Sequence, residues 1–226
     1  MRFSILLLAC AGAAHAATVS ETFEIRNWVV DYQRPTNEPR KQPFDLGDNA
    51  KMGATLANNA YPAPSIEAFV GDDIEITIVN QMLAQEVDFV FEGVDAKQSA
   101  PHPISQQGGT FRYTMTASKP GTFWWHARLP TQAATGLKGA LVVRAHDDPA
   151  ASLYQEERIL ALSDAMQVPE VCLSPSGVSD LGCPEIDKAT LNGQWGDDSN
   201  AYPIPVVEVQ QGRCYRLRWL GMMSQP

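Results

Sequence analysis

Histidine and cysteine are both scarce in this 226-residue chain, at four residues each. The histidines are His15, His102, His126 and His146, so no two lie close enough in sequence to make a paired metal-ligand motif. A lone electron-carrying copper site needs two histidines, a cysteine and usually a methionine. Cys214 has no histidine near it, which excludes that arrangement. Basic residues are also few: 17 Lys and Arg stand against 26 Asp and Glu, for a net charge of −9, and Arg40-Lys41 is the longest basic run. Phosphate contacts require clustered Lys and Arg, so nucleic acid is not expected as a partner. No stretch approaches the roughly 20 apolar residues that span a bilayer. There is no phosphate-binding glycine loop, no nucleophile elbow around Ser163-Asp164, and no Asn-x-Ser/Thr acceptor.

What is present begins with a leader. Arg2 gives a positive start, Ile5-Leu6-Leu7-Leu8-Ala9-Cys10-Ala11 is a short apolar run, and Ala14-His15-Ala16 has the small-x-small form of a signal-peptidase site. Residues 1–16 are therefore read as a signal peptide, cleaved after Ala16 or Ala17, and the protein as secreted. Cys10 leaves with the leader. Cys172 and Cys183 flank a Ser/Gly/Pro-rich loop and are expected to form a disulfide in an oxidising compartment. Cys214 is then left over, either as a buried free thiol or as the partner of further chain.

The hydrophobic pattern is all-β. Phe23 and Ile25 alternate with Glu24 and Arg26; Ile74, Ile76 and Ile78 alternate with Glu75, Thr77 and Val79. Residues 32–60 are rich in Pro, Asn and Gly and read as a long connection. Short strands are expected at 87–91, 111–115, 122–126 and 140–143, divided by the turns Gly108-Gly109 and Lys119-Pro120-Gly121, with 130–139 as a loop. Such a series predicts a sandwich or barrel. After the polar stretch His146-Asp147-Asp148-Pro149, further strands are expected at 157–163, 189–193, 205–209 and 213–220. This second set has too few strands to close a core.

These segments resemble a known family. Pro62-Ala63-Pro64-Ser65-Ile66-Glu67-Ala68 and Gly71-Asp72-Asp73-Ile74-Glu75-Ile76-Thr77-Ile78-Val79-Asn80 are similar to the opening of laccases, ascorbate oxidases and other multicopper oxidases. Gly109-Thr110-Phe111-Arg112-Tyr113, Pro120-Gly121-Thr122-Phe123-Trp124-Trp125-His126-Ala127 and Gly136-Leu137-Lys138-Gly139-Ala140-Leu141-Val142-Val143 follow in family order. The run from Val207 to Arg218 resembles the start of the family's second domain. The resemblance implies cupredoxin domains, each a Greek-key β-sandwich. Residues 17–148 would form the first, and 149–226 the truncated start of a second, with C-terminal cupredoxin domains missing. It also implies a chemistry, in which a type 1 copper takes electrons from a substrate and a trinuclear copper cluster passes them to oxygen, making water.

In the family the first domain supplies four cluster histidines as two His-x-His pairs. Residues i and i+2 of a strand face one side, so each pair aims two imidazoles into one site. Here Val90-Phe91-Glu92-Gly93 stands where the first pair belongs, and His126-Ala127-Arg128 where the second does. Val90, Glu92 and Arg128 are thus degenerate ligand positions, and His126 alone keeps the family residue. Arg128 matters most, because a guanidinium is permanently protonated and has no lone pair to give a metal. Glu92 and Arg128 are expected to form a salt bridge where metal would sit. His126 is expected to act as a packed strand residue, His102 as a solvated loop residue, and Phe123-Trp124-Trp125 as core. No copper is expected in this chain and no catalytic residue is assigned. Two alternatives stay open: a non-enzymatic extracellular or cell-wall homologue, or an incomplete gene model of an active oxidase.

Overall fold

The computed structural model describes residues 16–31, 51–165, 188–196 and 205–223. Twelve strands and one short helix appear among them. In chain order they are β1 (Thr18–Asp31), β2 (Lys51–Ala57), β3 (Ile66–Phe69), β4 (Asp73–Asn80), β5 (Phe89–Phe91), β6 (Asp95–Gln98), β7 (Gly109–Thr116), β8 (Gly121–Ala127), α1 (Pro130–Ala134), β9 (Lys138–Arg144), β10 (Glu156–Ala165), β11 (Lys188–Leu191) and β12 (Tyr215–Met222).

Two sheets make the main sandwich. One has the order β2-β1-β4-β7-β6, the other β3-β9-β8-β5. The alternation read from the sequence sets the inner faces. Along β4 every second residue is buried, and Ile74, Ile76 and Ile78 are fully out of water. Each such side chain contributes about 1.5–3 kcal/mol. Opposite them lie Ile66, Phe89, Trp125, Leu141 and Val143 from the second sheet. Trp125 is the centre of this core: its ring lies 4.9 Å from Phe23 and 5.7 Å from Phe89, and its indole N–H donates to the Pro64 carbonyl at 3.0 Å. Trp124 points the other way, towards the third sheet.

That third sheet, β11-β10-β12, lies against β8 and β9. Strand β9 is buried along nearly its whole length because it is covered on both faces. Ala140 joins Ala161, Leu220 and Met222 in a small apolar cluster at this seam. Charged groups flank it. Lys138 donates to the carboxylate and, at 2.9 Å, to the carbonyl of Asp164, and Glu157 receives Arg144 and Arg218.

Three expectations about elements need correction. Residues 32–60 are not all connection, since β2 occupies 51–57 and pairs antiparallel with β1. Its Gly and Ala content hides it, and pairing with tertiary burial overrides weak strand propensity. The expected loop at 130–139 contains α1, which opens on Pro130, a residue pre-set for a first helical turn. Residues 205–209 form no strand, and Val206 and Val209 are exposed. Cys214 is likewise exposed rather than buried. Cys172 and Cys183 lie outside the described residues.

Candidate functional site

Strands β5 and β8 run antiparallel with Phe89 opposite Ala127, Val90 opposite His126 and Phe91 opposite Trp125. The ladder continues at both ends: Arg128 N–H donates to the Asp88 carbonyl at 2.8 Å, and Glu92 N–H to the Trp124 carbonyl at 3.0 Å. Because side chains alternate, Phe89, Trp125 and Ala127 turn inward. Asp88, Val90 and Glu92 on one strand and Trp124, His126 and Arg128 on the other share the opposite face. All four positions singled out from the sequence therefore lie on one surface.

The register forbids the expected pairing of Glu92 with Arg128. Glu92 lies across from Trp124, four residues along β8 from Arg128, or about 13 Å at strand rise. Arg128 instead meets Asp88, its Nε 2.6 Å from Oδ2. Asp88 Oδ1 accepts the Tyr113 hydroxyl at 2.9 Å and the Phe89 N–H at 2.8 Å. The Tyr113 ring is in the core, and its ionisation is pushed upward by burial first, then by the hydrogen bond and negative charge of Asp88. Arg128 is held still more firmly protonated, first by its hydrogen bond to Asp88 and then by that carboxylate's charge. Asp88 and Tyr113 were not identified from the sequence. The signal was there: Asp88 is the next alternate position before Val90 and Glu92, on the same face.

His126 is half-buried. Its ring stacks on Trp124 with centroids 4.3 Å apart and planes at 25°. Nδ1 lies 2.9 Å from the Ala127 carbonyl. A carbonyl only accepts, so Nδ1–H donates in that bond and Nε2 is the nitrogen left facing outward. Nε2 is 3.8 Å from Glu92 Oε1, beyond hydrogen-bond distance. The other two described histidines belong elsewhere. His102 is exposed with Nδ1 3.2 Å from the Pro103 carbonyl, and His146 stacks on Phe69 with Nε2 3.0 Å from the Val70 carbonyl.

As a copper ligand set this face does not fit. The free donors are one imidazole and the Glu92 carboxylate, two where a site needs more; Val90 is apolar, the Asp88 carboxylate is already held by two hydrogen bonds and a cation, and Arg128 has no lone pair. A cation placed ~4 Å from Arg128 would meet a repulsion of ~4 kcal/mol at an effective dielectric of about 20. Among the described residues no group of three or more His, Cys, Asp or Glu is arranged to hold a metal ion. No helix among them is long and apolar enough to cross a membrane.

Comparison with known proteins places the fold. Residues 40–148 match the multicopper oxidase family model. The chain is 32% identical over 167 residues to an iron transport multicopper oxidase FET3 of Gibberella zeae, covering 70% of this chain and 25% of that protein. It is 31% identical over 199 residues to laccase-4 of Trametes villosa, covering 79% and 36%. The chain thus spans about a quarter to a third of these relatives. Among solved structures, the multicopper oxidase mgLAC superposes with a TM-score of 0.70 at 18% identity, covering 92% of this chain and 62% of that one. A copper nitrite reductase from Nitrosomonas europaea gives 0.69 at 18%, covering 91% and 68%. With a nearly all-β chain, a cupredoxin sandwich and laccase-like relatives in sequence, this protein belongs to the multicopper oxidase family.

Proposed function

We propose that this chain is a secreted, laccase-like member of its family that keeps the first cupredoxin domain, over residues 17–148, without its copper chemistry, and acts through its surfaces rather than as an oxidase. The observation that carries this reading is the Asp88–Arg128 ion pair, braced by Tyr113, on the face shared by Val90, Glu92, His126 and Arg128, the positions that the resemblance aligns with the family's copper ligands. It puts a permanent cation at one ligand position. His126 is left as the lone imidazole there, with its ring committed to a stack on Trp124.

The test is metal analysis and oxygen uptake. Protein secreted into copper-supplemented medium is freed of loose metal, assayed for copper and supplied with a phenolic electron donor. Copper well below one ion per chain and no oxygen consumption are expected. Stoichiometric copper that disappears in His126→Ala, or oxygen reduction by this chain, would overturn the reading. The length of the relatives favours a second reading, in which this chain is the leading part of a working oxidase. A longer transcript whose product binds copper and consumes oxygen would establish it.

A further inference from the structure

The turn between β3 and β4 holds a carboxylate that is almost out of water. Asp72 is 5% exposed. Its Oδ2 accepts the Phe69 N–H at 2.8 Å and its Oδ1 accepts the Ala17 N–H at 2.9 Å. The turn is closed by Gly71 N–H on the Ala117 carbonyl and Ala117 N–H on the Asp72 carbonyl. Among the described residues no cation reaches Asp72. The neighbouring Asp73 already has its own partners, Lys97 at 2.6 Å and Thr116 at 3.1 Å. Arg144, across from Phe69, is taken by Glu67 and Glu157, and His146 is held on the Val70 carbonyl. Both donors are neutral N–H groups, so the buried carboxyl group has hydrogen bonds but no opposite charge beside it.

The donor at Oδ1 comes from a particular residue. Ala17 directly follows Ala14-His15-Ala16, the small-x-small signature of signal-peptidase cleavage. Its nitrogen is fixed in place from both sides, by Asp73 N–H on the Ala17 carbonyl at 2.9 Å and by the parallel register that starts at Thr18 opposite Asp73. We propose that the chain is matured by hydrolysis of the Ala16–Ala17 bond, and that the new α-ammonium of Ala17 remains on Asp72 as a buried ion pair pinning the start of β1 to β4. In that hydrolysis the water oxygen joins the Ala16 carboxylate, and both water protons end on the Ala17 nitrogen. A neutral N–H donor becomes a charged one at the position where the carboxylate lacks a cation. Cleavage one residue later would remove this nitrogen, and retention of the leader would keep it an uncharged amide. The inference is independent of whether the β5–β8 face holds copper.

Two measurements test it. Protein secreted with its own leader should show, by intact mass and N-terminal sequencing, a chain beginning at Ala17. Chains released from a removable fusion to begin at Ala17, or at an added glycine before Ala17, are then compared by thermal unfolding, with Asp72 or with Asp72→Asn. The added glycine should lower the Tm by about 3–6 °C, as loss of a charge-assisted bond does in a chain of this size, and should cost little once Asp72 is Asn. A mature chain starting elsewhere, a harmless extension, or an equal loss in both backgrounds would overturn the proposal. If Asp72→Asn does not fold, NMR titration of the Ala17 amine in the wild-type chain decides. The paired amine should titrate above the ordinary range of about 7.7–8.0, and an unshifted value refutes the pairing.

Discussion

The seam between the sandwich and the β10–β12 sheet turns on one carboxylate, and replacing it tests how that seam is held. Glu157 sits among three guanidiniums. Arg218 gives it two bonds, Nη2 to Oε1 at 2.9 Å and Nε to Oε2 at 3.2 Å; Arg144 donates to Oε2; Arg216 Nη1 lies 3.7 Å from Oε1. Burial alone would raise its pKa. Hydrogen bonds from Arg218, Arg144 and Tyr154 and the charge of Arg218 outweigh that and hold it down at about 2, against an ordinary 4.5. At 1.36 kcal/mol per pH unit the ceiling is about 3.4 kcal/mol. Water reaches Arg144 and Arg216, which also have Glu67 and Asp148 as partners, so screening brings the contribution to about 2 kcal/mol. The folded pKa is the lower one, so the stabilisation is complete above pH 4.5 and is lost as pH falls towards 2. Glu157→Gln should cost about 2 kcal/mol or more at pH 7, because the buried Arg218 guanidinium loses its counter-charge and keeps only neutral acceptors, the new amide oxygen and Thr122 Oγ1 at 3.0 Å. Urea unfolding of both proteins from pH 7 to pH 2 should give curves that converge in acid. Curves that stay parallel over that range would refute the reasoning.

Lys138→Met removes the ammonium that donates to the buried Asp164 carboxylate and should cost about 3–5 kcal/mol in denaturant unfolding, most of it recovered in Lys138→Met/Asp164→Leu. Burial pulls the Lys138 pKa down while its Asp164 bond opposes that. At the candidate site, a double-mutant cycle of Asp88→Asn and Arg128→Ala should yield only about 0.5–1 kcal/mol of coupling, because the Arg128 side chain is 63% exposed. Asp88→Asn alone should cost more than Arg128→Ala alone, since Asp88 also anchors Tyr113.

The sheets of the sandwich were legible where alternation was clean. Ile74, Ile76 and Ile78 mark β4, because burial on one face writes a period of two into the sequence; in β8 the run Phe123-Trp124-Trp125 reads as core throughout, whereas only Trp125 is fully buried and Trp124 faces the third sheet. β2 was not legible, since Gly53, Ala54 and Thr55 carry almost no strand signal and are recruited by β1. The site was half legible. The family resemblance, not the strand pattern, brings Val90, Glu92, His126 and Arg128 together, and pairing partners depend on register, which one sequence does not contain. An offset of four residues is enough to move Arg128 from Glu92 to Asp88. The buried Lys138–Asp164 pair was beyond sequence reading, because it joins β9 to the end of β10 across 26 positions.

The same alternation separates the fold from the candidate site. On β5 and β8 the residues that hold the sandwich together, Phe89, Trp125 and Ala127, point inward, while Val90, Glu92, His126 and Arg128 point outward. Replacing one of these outward side chains removes no core contact, so packing imposes little penalty. The constraint that remains is electrostatic: a cation introduced at position 128 is stabilised by an anion on the cross-strand neighbour. Asp88 is that neighbour by register, and Tyr113, reaching out from the core, fixes its carboxylate in place. Glu92 carries no such requirement, being exposed and across from an indole. If packing rather than charge governed this face, Arg128 would tolerate reversal to Glu as readily as truncation to Ala. Opposed to Asp88, reversal should be clearly the more destabilising of the two.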